Sequence, residues 1–362
     1  MSTLFDQTEL AGMKLKNRFM RSATYDGRSD VSGHVTEELI RLYEDLAKGG
    51  VGTIITGLTN VTDIEKLVPG QMAIYNDSFI GEYEKLTSAV HKYDSNIIVQ
   101  LVCNGAQTRS KADGEMWTPS VVDDQALNTE AKEMTKEDIQ NMKNAFIKGA
   151  VRAKKAGFDG VQLHVAHGYL LSRFLTPYFN RRTDEYGGSI ENRGRIVLEI
   201  CKGIREAVRQ DYPVMAKINC EDFMDQGLTF QECKWLCKKL QEAGLSAVEI
   251  SGGTALSRKN EGTIRRVSAE TESYFKQYAK EMAEEIDIPV ISVGGHRDLD
   301  KLTDLVNDTK IEYISLSRPF IREPELVNRW AAGDKTPAKC ISCTKCFGVQ
   351  TECIFNKKTA VS

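Results

Sequence analysis

The sequence predicts an α/β protein built as a (β/α)8 TIM barrel, and three observations lead there. Eight short β-branched runs recur along the 362 residues; charged amphipathic stretches with apolar residues three or four apart lie between them; no internal repeat, low-complexity tract or Pro/Ser-rich linker divides the chain. Eight such alternations favour a closed barrel over an open doubly wound sheet.

The strand-like runs are 19–24, 51–57, 97–102, 160–165, 214–218, 247–251, 289–293 and 313–317. Helical spacing covers 37–48, 79–93, 136–156, 191–209, 231–243, 272–285 and 299–307. Thr135 three residues before Asp138, and Thr229 before Gln231 and Glu232, are helix-start signals. The opening stretch 4–15, with Gly12 between apolar residues, predicts a hairpin cap at the end opposite the catalytic face. The connections after the third and fourth strands are long, and loops in those places enlarge the pocket of a barrel. The expected division is a barrel over 1–335 and a short Cys-rich C-terminal tail over 336–362.

Composition narrows the function. Hydrophobic residues make up 41% and charged residues 27%, enough apolar surface for a sizeable core. Lys and Arg number 48 against 51 Asp and Glu, a net charge of -3, so the basic field that nucleic-acid or membrane-surface binding needs is missing. No apolar run approaches a membrane span, and the start MSTLFDQTEL has neither a basic nor an apolar signal region. The expectation is a soluble, cytoplasmic enzyme of small molecules, a homo-oligomer being open. Nine cysteines, an odd number in a long chain, argue for reduced thiols.

The segment from Leu163 to Arg193 is the densest in chemistry. His164 and His167, two of only five histidines, sit where the fourth strand runs out, with Tyr169 two residues on. Imidazole N–H groups can polarise a carbonyl oxygen, and a phenol can deliver a proton beside it. Core histidines and a zinc site are the alternatives; the metal reading lacks the His-Glu-x-x-His pattern and a third ligand.

Here the sequence resembles a known family. His164, His167, Gly168-Tyr169-Leu170, Phe174-Leu175, Pro177, Asn180-Arg181-Arg182, Asp184 and Tyr186-Gly187-Gly188-Ser189 are similar, almost residue for residue, to the signature of the old yellow enzymes, FMN-dependent ene-reductases. The likeness runs from about Leu4 to Arg329, including Leu15-Lys16-Asn17-Arg18 and Ser317-Arg318-Pro319-Phe320. It implies that NADH or NADPH reduces the flavin and that an α,β-unsaturated carbonyl compound then takes hydride from N5. His164 and His167 would bind that substrate's oxygen and Tyr169 would protonate its α carbon. FMN would touch Ser22, Ala23, Thr24, Gly57, Gln100 and Lys217, with its phosphate among Gly294, Gly295, Ser317 and Arg318.

Several of these positions make sense on physical grounds as well. Gly294-Gly295 lets backbone N–H groups approach an anion, and Arg318 on the next strand end adds a bidentate cation. Lys217 beside a flavin would favour the electron-rich reduced ring, and Gln100 can both donate to and accept from a pyrimidine edge. For either residue, a structural ion pair or core amide is the alternative.

The chain also departs from the pattern. Gln100-Leu101-Val102-Cys103-Asn104-Gly105-Ala106 replaces the relatives' Gln-Leu-x-His-x-Gly-Arg, and Tyr25 stands where relatives carry a Thr or Cys that tunes the flavin, placing it among the substrate-binding residues. Glu221 and Asp222 read as rim acids. Cys340, Cys343, Cys346 and Cys353 resemble the iron–sulfur site of the longer 2,4-dienoyl-CoA reductase branch, to whose N-terminal domain this single-domain sequence is similar; the spacing differs, so free thiols are expected ahead of a cluster or zinc. Two rival readings are a cofactor-free barrel with a Schiff-base Lys217 and a flavoprotein passing electrons through the cysteine tail.

Overall fold

The eight β-branched runs become eight parallel strands in the computed structural model, which describes residues 2–65, 67–107, 115–122 and 131–356. They are β1 (Phe19–Arg21), β2 (Thr53–Asn60), β3 (Asn96–Val102), β4 (Gly160–Val165), β5 (Val214–Asn219), β6 (Ala247–Ser251), β7 (Val290–Ser292) and β8 (Ile311–Leu316). Each pairs with its successor, and β8 pairs with β1, so the sheet closes on itself. Parallel neighbours require crossovers, which carry the helices α1 (Glu37–Lys48), α2 (Ile80–His91), α3 (Lys136–Lys155), α4 (Arg195–Val208), α5 (Phe230–Glu242), α6 (Lys276–Glu285) and α7 (Leu299–Asn307).

The helix starts follow the capping chemistry of the sequence. Thr135 and Thr229 each accept from the backbone N–H three residues on, while Asp138 and Glu232 reach back, so α3 and α5 begin in complete capping boxes. Two expected helices are corrected. The stretch 191–209 divides at Gly194 into Ile190–Arg193 and α4, with Gly194 packed against Trp235 and Leu236 of α5. The helix expected from 272 starts only at Lys276, because Ser273 takes a left-handed φ of 59° that no helix accommodates.

Strand alternation builds the barrel interior in storeys. Met20, Ile55, Ile98, Met215, Ala247, Ile291 and Tyr313 form one apolar cluster, joined by Leu10, Met13 and Leu15. Those last three belong to the expected hairpin, Thr8–Leu10 with Met13–Leu15, which closes the end from which the strands start. Two residues further along the same strands stand Ser22, Gln100, Lys217, Glu249, Val293 and Ser315, a mostly polar storey on the same side of each strand.

The tail crosses the opposite end. Thr351 N–H donates to Asp26 O at 3.0 Å, Arg28 Nη1 to Thr351 O at 3.0 Å, and Ala338 N–H to Arg297 O at 2.8 Å. The last six residues of the expected tail, 357–362, and the segments 108–114 and 123–130 of the expected third-strand insertion lie outside the described residues. Among the described residues no helix is long and apolar enough to cross a membrane.

Candidate active site

A cavity of about 490 Å³ opens where the strands end, within the range of small-molecule sites. Its lining includes Ser22, Ala23, Thr24, Tyr25, Gln100, His164, His167, Tyr169, Lys217, Gly294, Gly295, Ser317 and Arg318, so all but one of the expected cofactor, substrate and proton-donor positions meet in one place. The exception is Gly57. The β2–β3 register shifts between Ile55 and Leu58, which presents Leu58 to the cavity instead. Gly57 lies behind that wall: its N–H donates to Tyr43 Oη at 2.7 Å, and a Cβ there would come within 2.9 Å of Asp26 and Thr24.

At one end of the cavity the chain leaves β4 in a sharp turn. His167 and Gly168 have φ of 65° and 83°, a conformation costly for histidine, and the His167 N–H is held by Asn219 Oδ1 at 3.2 Å. The turn brings the rings together: His164 stands 4.5 Å from Tyr169 and 5.2 Å from His167, centroid to centroid. Burial, with Lys217 nearby, holds the His164 pKa well below the ordinary imidazole range; burial, then His164 and Lys217, does the same to His167. Burial pushes the Tyr169 phenol up to about 12, Glu65 and Tyr25 adding to it. At neutral pH the site therefore offers two uncharged imidazoles and a protonated phenol. The His164 Nδ1 is buried without a hydrogen-bond partner.

Polar and cationic groups occupy the rest. Lys217 Nζ lies 2.7 Å from Ser22 Oγ and 3.4 Å from Glu249 Oε2, so the structural ion pair left open for Lys217 is present. Gln100 Nε2 donates to Gln162 Oε1 at 2.8 Å. Just after β7, Gly294 and Gly295 have φ of 118° and 80°, and a Cβ on either would come within 2.9 Å of the Phe275 or Tyr274 ring. Only glycine fits both constraints. Arg318 and Arg297 line the cavity beside them, and Arg318 Nη1 and Arg297 Nε are buried without hydrogen-bond partners.

A family model described as the NADH:flavin oxidoreductase / NADH oxidase family matches residues 3–336. The chain belongs to that family. Old yellow enzymes are members, as the sequence resemblance implied. The chain is 33% identical over 350 residues to an NADH oxidase of Thermoanaerobacter brockii, covering 95% of this chain and 53% of that protein. It is 31% identical over 322 residues to an NADPH dehydrogenase of a Geobacillus species, covering 89% and 91%. A solved 2-naphthoyl-CoA reductase in complex with 2-naphthoyl-CoA superposes with a TM-score of 0.86 at 26% identity, over 93% of this chain and 54% of that one. The chain thus spans about half the length of some relatives and nearly all of others.

This family uses FMN with NAD(P)H, and the residues present fit that cofactor. The unsatisfied donors of Arg297 and Arg318, beside a glycine pair that lines the same cavity, suit a phosphate; Gln100 and Lys217 suit the polar edge of the ring.

Several site residues escaped the sequence reading. Arg297 had a legible signal, three residues after Gly294. Ser251, with Oγ 2.7 Å from His167 Nε2, and Glu249 sit on a strand that the reading located without asking which side chains point inward; counting in twos from Ala247 finds both. Glu65 carries no sequence signal. It is buried, accepts from the N–H groups of Asn104 at 2.6 Å and Gly105 at 2.8 Å, and so holds the turn in which the family's histidine and arginine are replaced. Burial raises its pKa to about 7 against these donors. Asp222 is no rim acid: it is wholly buried and bonded to Thr176, Asn219 and the Leu228 N–H.

The four tail cysteines line one small pocket with Arg318, Ile321, Ile341, Ile354 and Phe355. None of them is in a disulfide, and no group of three or more His, Cys, Asp or Glu that could hold a metal occurs among the described residues. Cys340, Ser342 and Phe347 also line the main cavity, so the tail supplies part of its wall.

Proposed function

We propose that this chain is an FMN-dependent NAD(P)H oxidoreductase that reduces the C=C bond of α,β-unsaturated carbonyl compounds. The observation that carries the reading is the meeting of two neutral imidazoles and one protonated phenol, from His164, His167 and Tyr169, in the cavity that also holds Gln100, Lys217 and the free donors of Arg297 and Arg318. When bound, FMN supplies two-electron chemistry, accepting hydride from NAD(P)H and yielding it to the activated alkene.

The protein's own residues prepare the substrate for that transfer. His164 and His167 each present a ring N–H to the carbonyl oxygen. Because neither carries a full charge, each acts as a hydrogen-bond donor that strengthens as negative charge develops on that oxygen. Tyr169 keeps its proton at neutral pH and delivers it to the carbon next to the carbonyl. The tail residue Phe347 and the loop residues Thr263 and Ile264 line the same cavity. The 2-naphthoyl-CoA bound by the similar reductase is a conjugated thioester, which supports a carbonyl-activated substrate here. The Schiff-base reading of Lys217 is disfavoured, since its amine is engaged by Glu249 and Ser22.

The test is anaerobic. The purified protein is reduced with NADH or NADPH while the visible flavin band is followed, then mixed with 2-cyclohexen-1-one. Return of the band with formation of cyclohexanone is expected; a colourless protein that binds no FMN, or a reduced one that the enone leaves unoxidised, would overturn the proposal.

A further inference from the structure

Behind the cavity wall lies a second ionisable group that the chemistry above leaves unused. Glu249 is wholly buried. Its Oε1 accepts from Ser22 Oγ at 2.7 Å and its Oε2 from Gln162 Nε2 at 2.9 Å, and the same Oε2 faces Lys217 Nζ at 3.4 Å. Strand register explains the meeting: Glu249 is the paired neighbour of Lys217 across β6 and β5, and Gln162 that of Gln100 across β4 and β3. Ser22, Gln100 and Lys217 line the cavity, whereas Glu249 and Gln162 stand behind them. Ala247, two residues before Glu249, belongs to the apolar storey beneath.

A carboxylate so placed is costly to desolvate unless a cation and hydrogen bonds compensate it. Here one ammonium and two donors do so, and the ammonium belongs to a residue that lines the cavity. Lys217 therefore presents to a ligand a cation already partnered from behind.

We propose that Glu249 is a positioning residue that sets the charge Lys217 offers to the flavin, holding bound FMN harder to reduce than Lys217 alone would. This rests on the reading that puts the polar edge of the ring at Gln100 and Lys217. Reduction gathers negative charge at that edge, so a carboxylate behind the ammonium cancels part of the stabilisation. Glu249→Gln removes the charge and keeps the shape, and the Gln100–Gln162 amides can reverse together to satisfy it.

The experiment compares holoenzymes of wild type, Glu249→Gln, Glu249→Asp, Lys217→Met and the Glu249→Gln/Lys217→Met double variant at pH 7. Two readouts are independent of turnover: sulfite affinity, from loss of the visible flavin band, and the two-electron midpoint potential. Glu249→Gln is expected to bind sulfite at least tenfold more tightly and to shift its potential positive by about 30 mV or more, the equivalent of tenfold for two electrons. Glu249→Asp stays near wild type, Lys217→Met moves the opposite way, and the double variant lies above Lys217→Met. If Glu249→Gln does not accumulate as folded protein, that last comparison measures the same charge. An unchanged or more negative potential in Glu249→Gln, with Lys217→Met still shifted, overturns the role of Glu249 and keeps the flavin placement. If neither variant moves either readout, both fall.

Discussion

Ser251 Oγ lies 2.7 Å from Nε2 of His167, a contact that joins the end of β6 to the turn after β4. With that nitrogen engaged, Nδ1 is the one left for a ligand. A serine hydroxyl donating to Nε2 fixes the tautomer in which Nδ1 carries the proton, the form that can bind an oxygen. Ser251→Ala frees the ring to take the other tautomer. The expected outcome is a roughly fivefold to tenfold loss in affinity for a phenol or enone carbonyl, the value of about one hydrogen bond, with FMN binding unchanged. A phenol titration followed in the visible spectrum checks it; unaltered affinity would show that Ser251 does not orient the imidazole.

Tyr169 answers a different question, because its proton is needed in only one half of the cycle. Its phenol, pushed up to about 12 chiefly by burial, stays protonated through neutral pH. Tyr169→Phe is expected to slow enone reduction by about 10²- to 10⁴-fold, the usual worth of a general acid, and to spare flavin reduction by NAD(P)H. Stopped-flow traces of the two half-reactions separate these, and equal losses in both would remove Tyr169 from its role.

Much of this was legible because barrels are periodic. The β-branched runs located all eight strands, and the density of chemistry around His164, His167 and Tyr169 marked the end at which the cavity opens. What stayed hidden depends on register. Gly57 and Leu58 are adjacent in sequence, yet the irregularity at Ile55–Leu58 decides which of them faces the cavity. Lys217 and Glu249 are far apart along the chain and become partners only through the β5–β6 pairing. Glu65 reaches the site from a connection that no periodic pattern describes.

Arg318 and Arg297 carry the phosphate reading, and it can be isolated from the rest of the cofactor. Arg318→Ala removes a charge-assisted donor whose Nη1 has no hydrogen-bond partner in the protein. Apoprotein titrated with FMN is expected to bind about 10- to 100-fold more weakly, while its affinity for riboflavin, which lacks the phosphate, holds. Arg297→Ala should act in the same direction. Equal losses for the two ligands would place the arginine effect on the fold.

His296 predicts a pH dependence of stability. Its ring is buried between Ser273 Oγ, 2.8 Å from Nδ1, and Ser292 Oγ, 3.1 Å from Nε2, and burial, with Lys276 adding, pushes its pKa from 6.5 down to about 4. In the unfolded chain the same ring takes a proton below about 6.5. Between these values the unfolded state binds more protons, so stability is fully present above 6.5 and is lost as pH falls toward 4, by about 3 kcal/mol at most. Carboxylates titrate in the same window, so the informative quantity is a difference. Denaturant unfolding of wild type and His296→Asn at a series of pH values should show the wild-type advantage shrinking steadily from pH 7 to pH 4. Parallel curves would mean that His296 takes up its proton in the folded protein as readily as in the unfolded chain.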